Sequence, residues 1–299
     1  MEFLRFPDEF HSEESCALAL FAAKWPNGYV CPRCGSRQCC RIETRRLPLF
    51  QCAHCRHQTS LIANTVMSRS RTPLTKWFQA LYLMTRPLIG VSASTLKLII
   101  GVTYKTAWLM LHKIRHEMSE YDRRRLLTGV VRAIPGIFGS TPYPLYDSIP
   151  AKYPVIMGMS LQNSKQPASI KLISTDRSAT LNDTIPNFRS RHVCPNCADF
   201  EVIRSIRGAT EWGFTKKIFV MATMWIGSLY YGVSQKHLQK YLDEYVYRYN
   251  CAIRNESMLT GTLKSCSAYS AITYRELIGK SVQSPRQNRD DLPCLVGAA

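Results

Sequence analysis

From Thr72 to about Leu127 apolar residues recur at the three-to-four-residue spacing of a helix. The period is broken at Gly90-Val91-Ser92 and again at Gly101-Val102-Thr103. Upstream, FPDEFHSEESCALALFAAK predicts a helical lead-in within residues 1–24, with Ser12 as its N-cap. Residues 25–62 lose the period and become rich in loops and cysteine. Beyond Gly129 the apolar runs shorten. Those rich in Val and Ile, such as YPVIMGMS and ASIKLIS, predict strands as far as about Ser174. The first of them, GVVRAIPGIFGS at 129–140, predicts a short strand running into a Pro/Gly turn, and it contains no carboxylate. Helical patterning then returns and closes with SQKHLQKYLDEYVYRYN at 234–250, where Tyr241, Tyr245, Tyr247 and Tyr249 read as core packing beside Leu238, Leu242 and Val246. Residues 281–299 read as an irregular tail.

The second break has the layout of a helix-turn-helix. Ser92 caps a first helix over 93–100, with Leu96, Ile99 and Ile100 on one face. Gly101 supplies the corner, Val102 packs inward, and Thr103 caps a second helix whose Ala107, Leu111 and Ile114 point to the core. That reading leaves Tyr104, Lys105, Lys113 and Arg115 on exposed faces as DNA contacts, with Tyr104 and Lys105 at the end that meets base edges.

Composition then narrows the partner. The 299 residues are 45% hydrophobic and 20% charged, as in a globular protein, and the net charge of +18 points to a polyanion such as nucleic acid. No stretch approaches ~18 uninterrupted apolar residues, so no membrane partner is expected. The acidic N-terminus lacks the plan of a signal peptide, so a cytoplasmic, nucleoid-associated bacterial protein is expected.

CPRC at 31–34 and CAHC at 52–55 form two CxxC knuckles separated by 17 residues. Two residues between paired cysteines let both sulfurs point inward from one turn, so Cys31, Cys34, Cys52 and Cys55 predict a structural Zn²⁺ site with no open position. Cys39, Cys40, His54 and His57 lie near enough to be substitute ligands, but the paired spacing favours the four cysteines. Arg33, Arg37, Arg41, Arg45, Arg46 and Arg56 crowd this ribbon, and Arg33, Arg45 and Arg46 are candidate phosphate contacts. A further CxxC, CPNC at 194–197, has no matching pair and reads as incidental.

The succession of this ribbon, QTSLIANTVMSRSRTPLTKWFQALYLM and GVTYKTAWLMLHKIR resembles the insertion-sequence transposases that carry an N-terminal zinc ribbon before a DDE domain (the fifteen-ninety-five insertion-sequence group). GVSQKHLQKYLDEYVYRYN is similar to the family's closing helix and TYRELIG to its last element, so the resemblance covers roughly residues 8 to 280. It implies an α+β multidomain fold: a helical lead-in (1–24), zinc ribbon (25–62), helix-turn-helix segment (72–127), ribonuclease H-like α/β domain (128–280) and tail (281–299). It also implies double-stranded DNA at the element's ends as partner, and a homo-oligomer on that DNA.

In such a domain, carboxylates hold two Mg²⁺ ions about 4 Å apart for phosphodiester chemistry. The family's V-E-x-D-E pattern falls on Val131, Arg132, Ala133, Ile134 and Pro135, followed by Gly139-Ser140 at its Gly-Gly turn. Arg132, Ile134 and Pro135 therefore stand where acids are required, and no Asp or Glu occurs between Asp122 and Asp147 to rescue the register. The second acid falls near Asp199 and Glu201 without the family's Thr-Asp-Gly context. The third falls near Met221–Thr223, where nothing binds a metal. The expectation is a transposase-family DNA-binding protein unable to cleave and join strands, with Mg²⁺ relevant only if a site survives. Two alternatives stand beside it: an active transposase using acids drawn from Asp147, Asp176, Asp199, Glu201 and Glu211, and a regulator derived from a transposase.

Overall fold

The computed structural model describes residues 6–7, 10–87, 89–139, 152–162, 166–204, 213–230, 233–268 and 272–279. Its elements group into two units, Met1–Glu117 with Ser257–Leu277 and Met118–Glu256, which part between Glu117 and Met118.

The first unit opens with α1 (Glu13–Lys24), whose N-cap Ser12 accepts a hydrogen bond from the Ser15 N–H at 3.0 Å. Three short strands follow as an antiparallel sheet in the order β1 (Cys39–Ile42), β2 (Leu49–Cys52) and β3 (Gln58–Ser60). Phe21, Trp25, Tyr29 and Phe50 pack ring on ring at 5.1–5.9 Å, joining α1 to β2 and giving this small sheet an apolar base. Lys24 donates to the carbonyls of Leu61 and Ala63 at 3.0 and 2.6 Å while lying over Trp25. Burial pulls its pKa down to about 8.

The helical part comprises α2 (Leu74–Thr85), α3 (Ala93–Ile100) and α4 (Tyr104–Arg123). Pro73 precedes α2 and has no side-chain oxygen to cap it; Glu13 supplies the missing acceptor, taking the Leu74 N–H at 3.1 Å.

Met118–Glu256 hold the larger sheet. Its strands are β4 (Val130–Phe138), β5 (Tyr153–Gln162), β6 (Gln166–Ser174) and β7 (Asp199–Val202), with α5 (Leu181–His192) between β6 and β7. The order is β6-β5-β4-β7, antiparallel through β6, β5 and β4, with β7 parallel to β4. Helices α6 (Gly213–Tyr230) and α7 (Gln235–Ile253) cover the face carrying Ile134, Phe138, Met157 and Leu172. Phe188 of α5 packs on the opposite face with Val131, Ala133 and Ile156. Tyr245 and Tyr247 are buried in α7.

The sheet corrects the turn expected within 129–140. β4 runs straight through Pro135 and Gly136, which pair with Ile156 and Val155 of β5. β7 stops opposite Ala133, so at Pro135 the strand has one neighbour and tolerates a residue without an N–H. A Cβ at Gly136 would lie 2.5 Å from Cζ of Phe219, so the glycine makes room for an aromatic ring of α6. The chain turns instead at Gly139, whose φ of +90° suits glycine.

The closing elements are α8 (Met258–Ala268) and α9 (Tyr274–Ile278), and as far as Leu277 they belong to the first unit. The units therefore part at 117/118, 256/257 and 277/278, whereas the sequence pattern puts boundaries at 127/128 and 280/281. The reason is α8, which packs on α1 and α2 and whose Cys266 carbonyl accepts the Val66 N–H at 2.9 Å. Among the described residues, no helix is long and apolar enough to cross a membrane.

Candidate zinc centre and nucleic-acid interface

The two knuckles of the ribbon share one backbone plan. In the first, Gly35 N–H donates to the Cys31 carbonyl and Cys31 N–H to the Ser36 carbonyl, both at 2.9 Å. In the second, Arg56 N–H donates to Cys52 at 3.1 Å, and Cys52 N–H to His57 at 3.0 Å. The residue after each second cysteine is left-handed, Gly35 at φ +73° and Arg56 at φ +58°. These turns bring the Sγ atoms of Cys31, Cys34, Cys52 and Cys55 within 4.8 Å of one another. Cys31–Cys55 and Cys34–Cys52 are each 3.6 Å apart. Four sulfurs at ~2.3 Å around a tetrahedral zinc would stand about 3.8 Å apart, so the donor set fits Zn²⁺.

The local electrostatics also call for a cation. Burial pushes the Cys31 thiol up, but the N–H groups of Arg33 and Cys34 and the neighbouring sulfurs outweigh it and hold the thiol near about 6. At Cys34 the Ser36 N–H favours the thiolate, yet the crowding sulfurs drive the thiol up to about 12. Four thiolates this close need a divalent ion among them to ionise together. The four cysteines thus form a potential zinc-binding site. Cys39 lies in β1 and Cys40 beside it; neither they nor His54 and His57 join the cluster. Cys194 and Cys197 likewise form no metal-binding group among the described residues.

Around the cluster, Arg33, Arg37, Arg41, Arg45, Arg46 and Arg56 are exposed. Arg41 pairs with Glu43 at 2.9 Å and Arg46 lies 3.7 Å from Glu13, leaving Arg33, Arg37, Arg45 and Arg56 outside any ion pair among the described residues.

The turn between α3 and α4 is capped at both ends. Ser92 Oγ accepts the Thr95 N–H at 3.1 Å, Gly101 closes α3 in the left-handed conformation, and Thr103 Oγ1 accepts the Thr106 N–H at 3.2 Å. Leu96, Ile100, Ala107, Leu111 and Ile114 are buried, and Val102 is half-buried. Tyr104 is 52% exposed, and Lys105 is exposed with its Nζ over the Tyr274 ring.

Lys113 and Arg115 are not on an exposed face. They retain 7% and 1% of their accessible surface, so the expectation that they reach DNA is corrected. Lys113 Nζ donates to the Val66 carbonyl at 3.0 Å, and burial lowers its pKa. From Leu111 to Arg115 every position of α4 is buried, so this stretch has no solvent side on which to display cations.

In the larger sheet, Arg132 takes up both acids of β7. The parallel register sets Arg132 beside Glu201, with Asp199 opposite Val130. One guanidinium nitrogen of Arg132 donates to Asp199 Oδ2 at 2.7 Å, and Nε lies 3.1 Å from Glu201 Oε2. Asp176 is exposed just beyond β6, at the other edge of the sheet and beyond the end of β4 opposite to that carrying Asp199. Three strand spacings alone separate the two edges by about 14 Å. Asp147 and Glu211 lie outside the described residues. Met221–Thr223 fall in α6, where Thr223 Oγ1 accepts the Gly139 N–H at 3.4 Å. Apart from the four cysteines, the described residues bring no three Asp, Glu, His or Cys side chains together as metal ligands. Among the described residues, no set of acids converges that would hold a pair of Mg²⁺ ions.

A cluster beside α5 is not foreshadowed by any motif. Lys171, almost fully buried, donates to Asp122 Oδ2 at 2.6 Å. Nearby, His192 has a buried Nδ1 without a hydrogen-bond partner. Burial first, and then Lys171, Arg191 and Arg123, lower its pKa to about 3. Nothing in the local spacing of these residues announces that they meet.

Residues 11–58 match the transposase zinc-ribbon domain. The chain is also similar to an uncharacterized protein in transposable element ISH50 of Halobacterium salinarum, 32% identical over 100 residues, which make up 33% of this chain and 33% of that protein. It therefore spans about a third of the length of the curated relative it matches. No solved structure matches. The resemblance to insertion-sequence transposases is thus shown at the ribbon, and the chain is transposase-related on that ground.

Proposed function

We propose that this chain is a DNA-binding protein of an insertion sequence, derived from a transposase, whose sheet no longer performs metal-dependent strand cleavage and transfer. The observation that carries the proposal is Arg132, held between Asp199 and Glu201 at 2.7 and 3.1 Å. A guanidinium stays charged throughout the working pH range. It therefore repels a divalent ion from the two acids that would otherwise help to hold one.

The sheet order β6-β5-β4-β7, with one parallel strand beside the first of three antiparallel strands, supports a ribonuclease H-like reading of this unit. DNA binding is supported by the capped α3–turn–α4 pair, the exposed Tyr104 and Lys105, the exposed arginines of the ribbon and the net charge of +18. Zinc holds the ribbon in shape. Assembly as an oligomer on double-stranded DNA at element ends belongs to the same reading.

The test is to incubate the purified protein with DNA carrying the element's terminal repeats in Mg²⁺ or Mn²⁺. Salt-sensitive binding without cleavage or joining is expected. Strand transfer would overturn the loss of catalysis, and absence of binding at low salt would overturn the DNA-binding reading.

A further inference from the structure

We infer that the basic concavity at the turn between α3 and α4 seats a phosphodiester of duplex DNA and fixes the register in which α4 meets the duplex. The inference rests on the DNA-binding reading and adds to it the residues that hold the backbone. The concavity is a shallow hollow of about 700 Å³, and Arg71, Lys76, Lys97, Thr103, Tyr104 and Thr106 stand in its wall with no Asp or Glu among the lining residues.

The cations of this wall divide into two kinds. Lys76 Nζ donates to the carbonyls of Ile100 and Gly101, so its ammonium holds the C-terminal end of α3 and adds a fixed positive charge. Arg71 and Lys97 are exposed and form no ion pair among the described residues. Four cations elsewhere are held by acids, Arg123 by Glu120, Arg125 by Glu256, Arg248 by Glu244 and Lys171 by Asp122. A hollow with two uncommitted cations, one anchored ammonium, several hydroxyls and no acid attracts an anion rich in acceptor oxygens.

The concavity is open, and its wall includes the first residues of α4, a helix of 20 residues. Tyr104 belongs to that wall and Lys105 follows it, so an anion held there lies next to the side chains placed to reach base edges. A duplex offers a phosphate beside a base edge in this way, whereas a free anion gains nothing from the second feature. Contacts to phosphate position a protein on DNA without reading sequence. Loss of Arg71 and Lys97 should therefore weaken binding to every duplex alike.

The experiment compares the full chain with the double variant Arg71→Ala/Lys97→Ala and a control, Lys216→Ala/Lys217→Ala, which removes the same charge from exposed positions of α6. Each is titrated with fluorescein-labelled duplexes of two unrelated sequences over about 50–200 mM KCl, and log Kd is plotted against log salt. The Arg71/Lys97 variant should lose about 1 from the slope, as expected for one phosphate no longer neutralised, with the same fold loss on both sequences. The control should keep the parent slope. An unchanged slope in the first variant, or an equal loss in both, would overturn the pocket while leaving DNA binding intact. If the parent binds neither duplex, the broader reading falls and the pocket with it. Both substituted pairs are exposed, and unchanged zinc content and circular dichroism verify folding.

Discussion

Replacing Asn250 with alanine tests how the sheet is sealed at its β6 edge. An edge strand presents unpaired N–H and C=O groups outward, and β6 is such an edge. Asn250 of α7, with 3% of its surface accessible, accepts the Ile170 N–H at 2.8 Å and donates to the Ile170 carbonyl at 3.0 Å and to Asp122 at 3.2 Å. Three turns earlier, Gln239 accepts the Ser174 N–H at 2.8 Å and donates to the Leu172 carbonyl at 2.9 Å. Two side-chain amides thus stand in for a missing fifth strand. Asn250→Ala would strand the N–H and C=O of Ile170 in a dry interior. Each orphaned group costs about 1–3 kcal/mol, which for the two sums to about 2–6 kcal/mol. Gln239 and its partner Ser174 are only half-buried, so Gln239→Ala should cost less, about 1–2 kcal/mol. Urea unfolding followed by a signal from this unit should show a lower midpoint with unchanged slope, in the order Asn250→Ala below Gln239→Ala below parent. Asn250→Asp keeps the size and loses the donors, so it should resemble the alanine variant. A cost under ~1 kcal/mol for Asn250→Ala would refute the reasoning, because unmet buried backbone groups cannot be that cheap.

Two further outcomes follow from the sites. The purified protein should carry one zinc per chain, and a strong chelator or Cys34→Ser should release it and unfold the ribbon, seen as lost protection of the β1–β3 amides; retention of metal by Cys34→Ser would remove that cysteine from the ligand set. His192, whose folded pKa of about 3 lies below the 6.5 of a free imidazole side chain, stays neutral in the fold while the unfolded chain takes up a proton. The unfolded state therefore binds more protons between those values, and stability is present above about pH 6.5 and lost as pH falls toward 3. The loss at pH 5 is about 2 kcal/mol, and His192→Leu should shrink the difference in unfolding midpoint between pH 7.5 and pH 5. An equal pH dependence in that variant would assign the acid sensitivity to other groups.

What was legible in the sequence was local. The CxxC spacing gives the knuckle because two intervening residues close one turn, and the caps at Ser12, Ser92 and Thr103 are read from the residue itself. What was not legible depends on partners far along the chain. Lys113 reads as a surface cation until the Val66 carbonyl, 47 residues away, is placed against it. Pro135-Gly136 has turn composition, and only the short reach of β7 and the ring of Phe219 make it strand. The amides that close the β6 edge sit in a helix whose pattern was plain but whose neighbour was not.

The same dependence on distant partners governs Arg132. Read alone, it is a missing acid; placed by the parallel register, it balances the acids that remain. Asp199 and Glu201 are two residues apart on one strand, hence on one face, where two carboxylates repel each other. A divalent ion would relieve that repulsion, and so does a guanidinium donating through two of its nitrogens. Asp199 and Glu201 are 55% and 61% exposed, so each pair is screened by solvent and worth only a few tenths of a kcal/mol to the fold. The consequence is chiefly electrostatic. An ion entering here must displace a tethered cation from both acids and then sit beside it. On the proposed reading, Asp199 and Glu201 answer to Arg132 and not to a metal ion. With Arg132 between them, they serve the sheet as counter-ions.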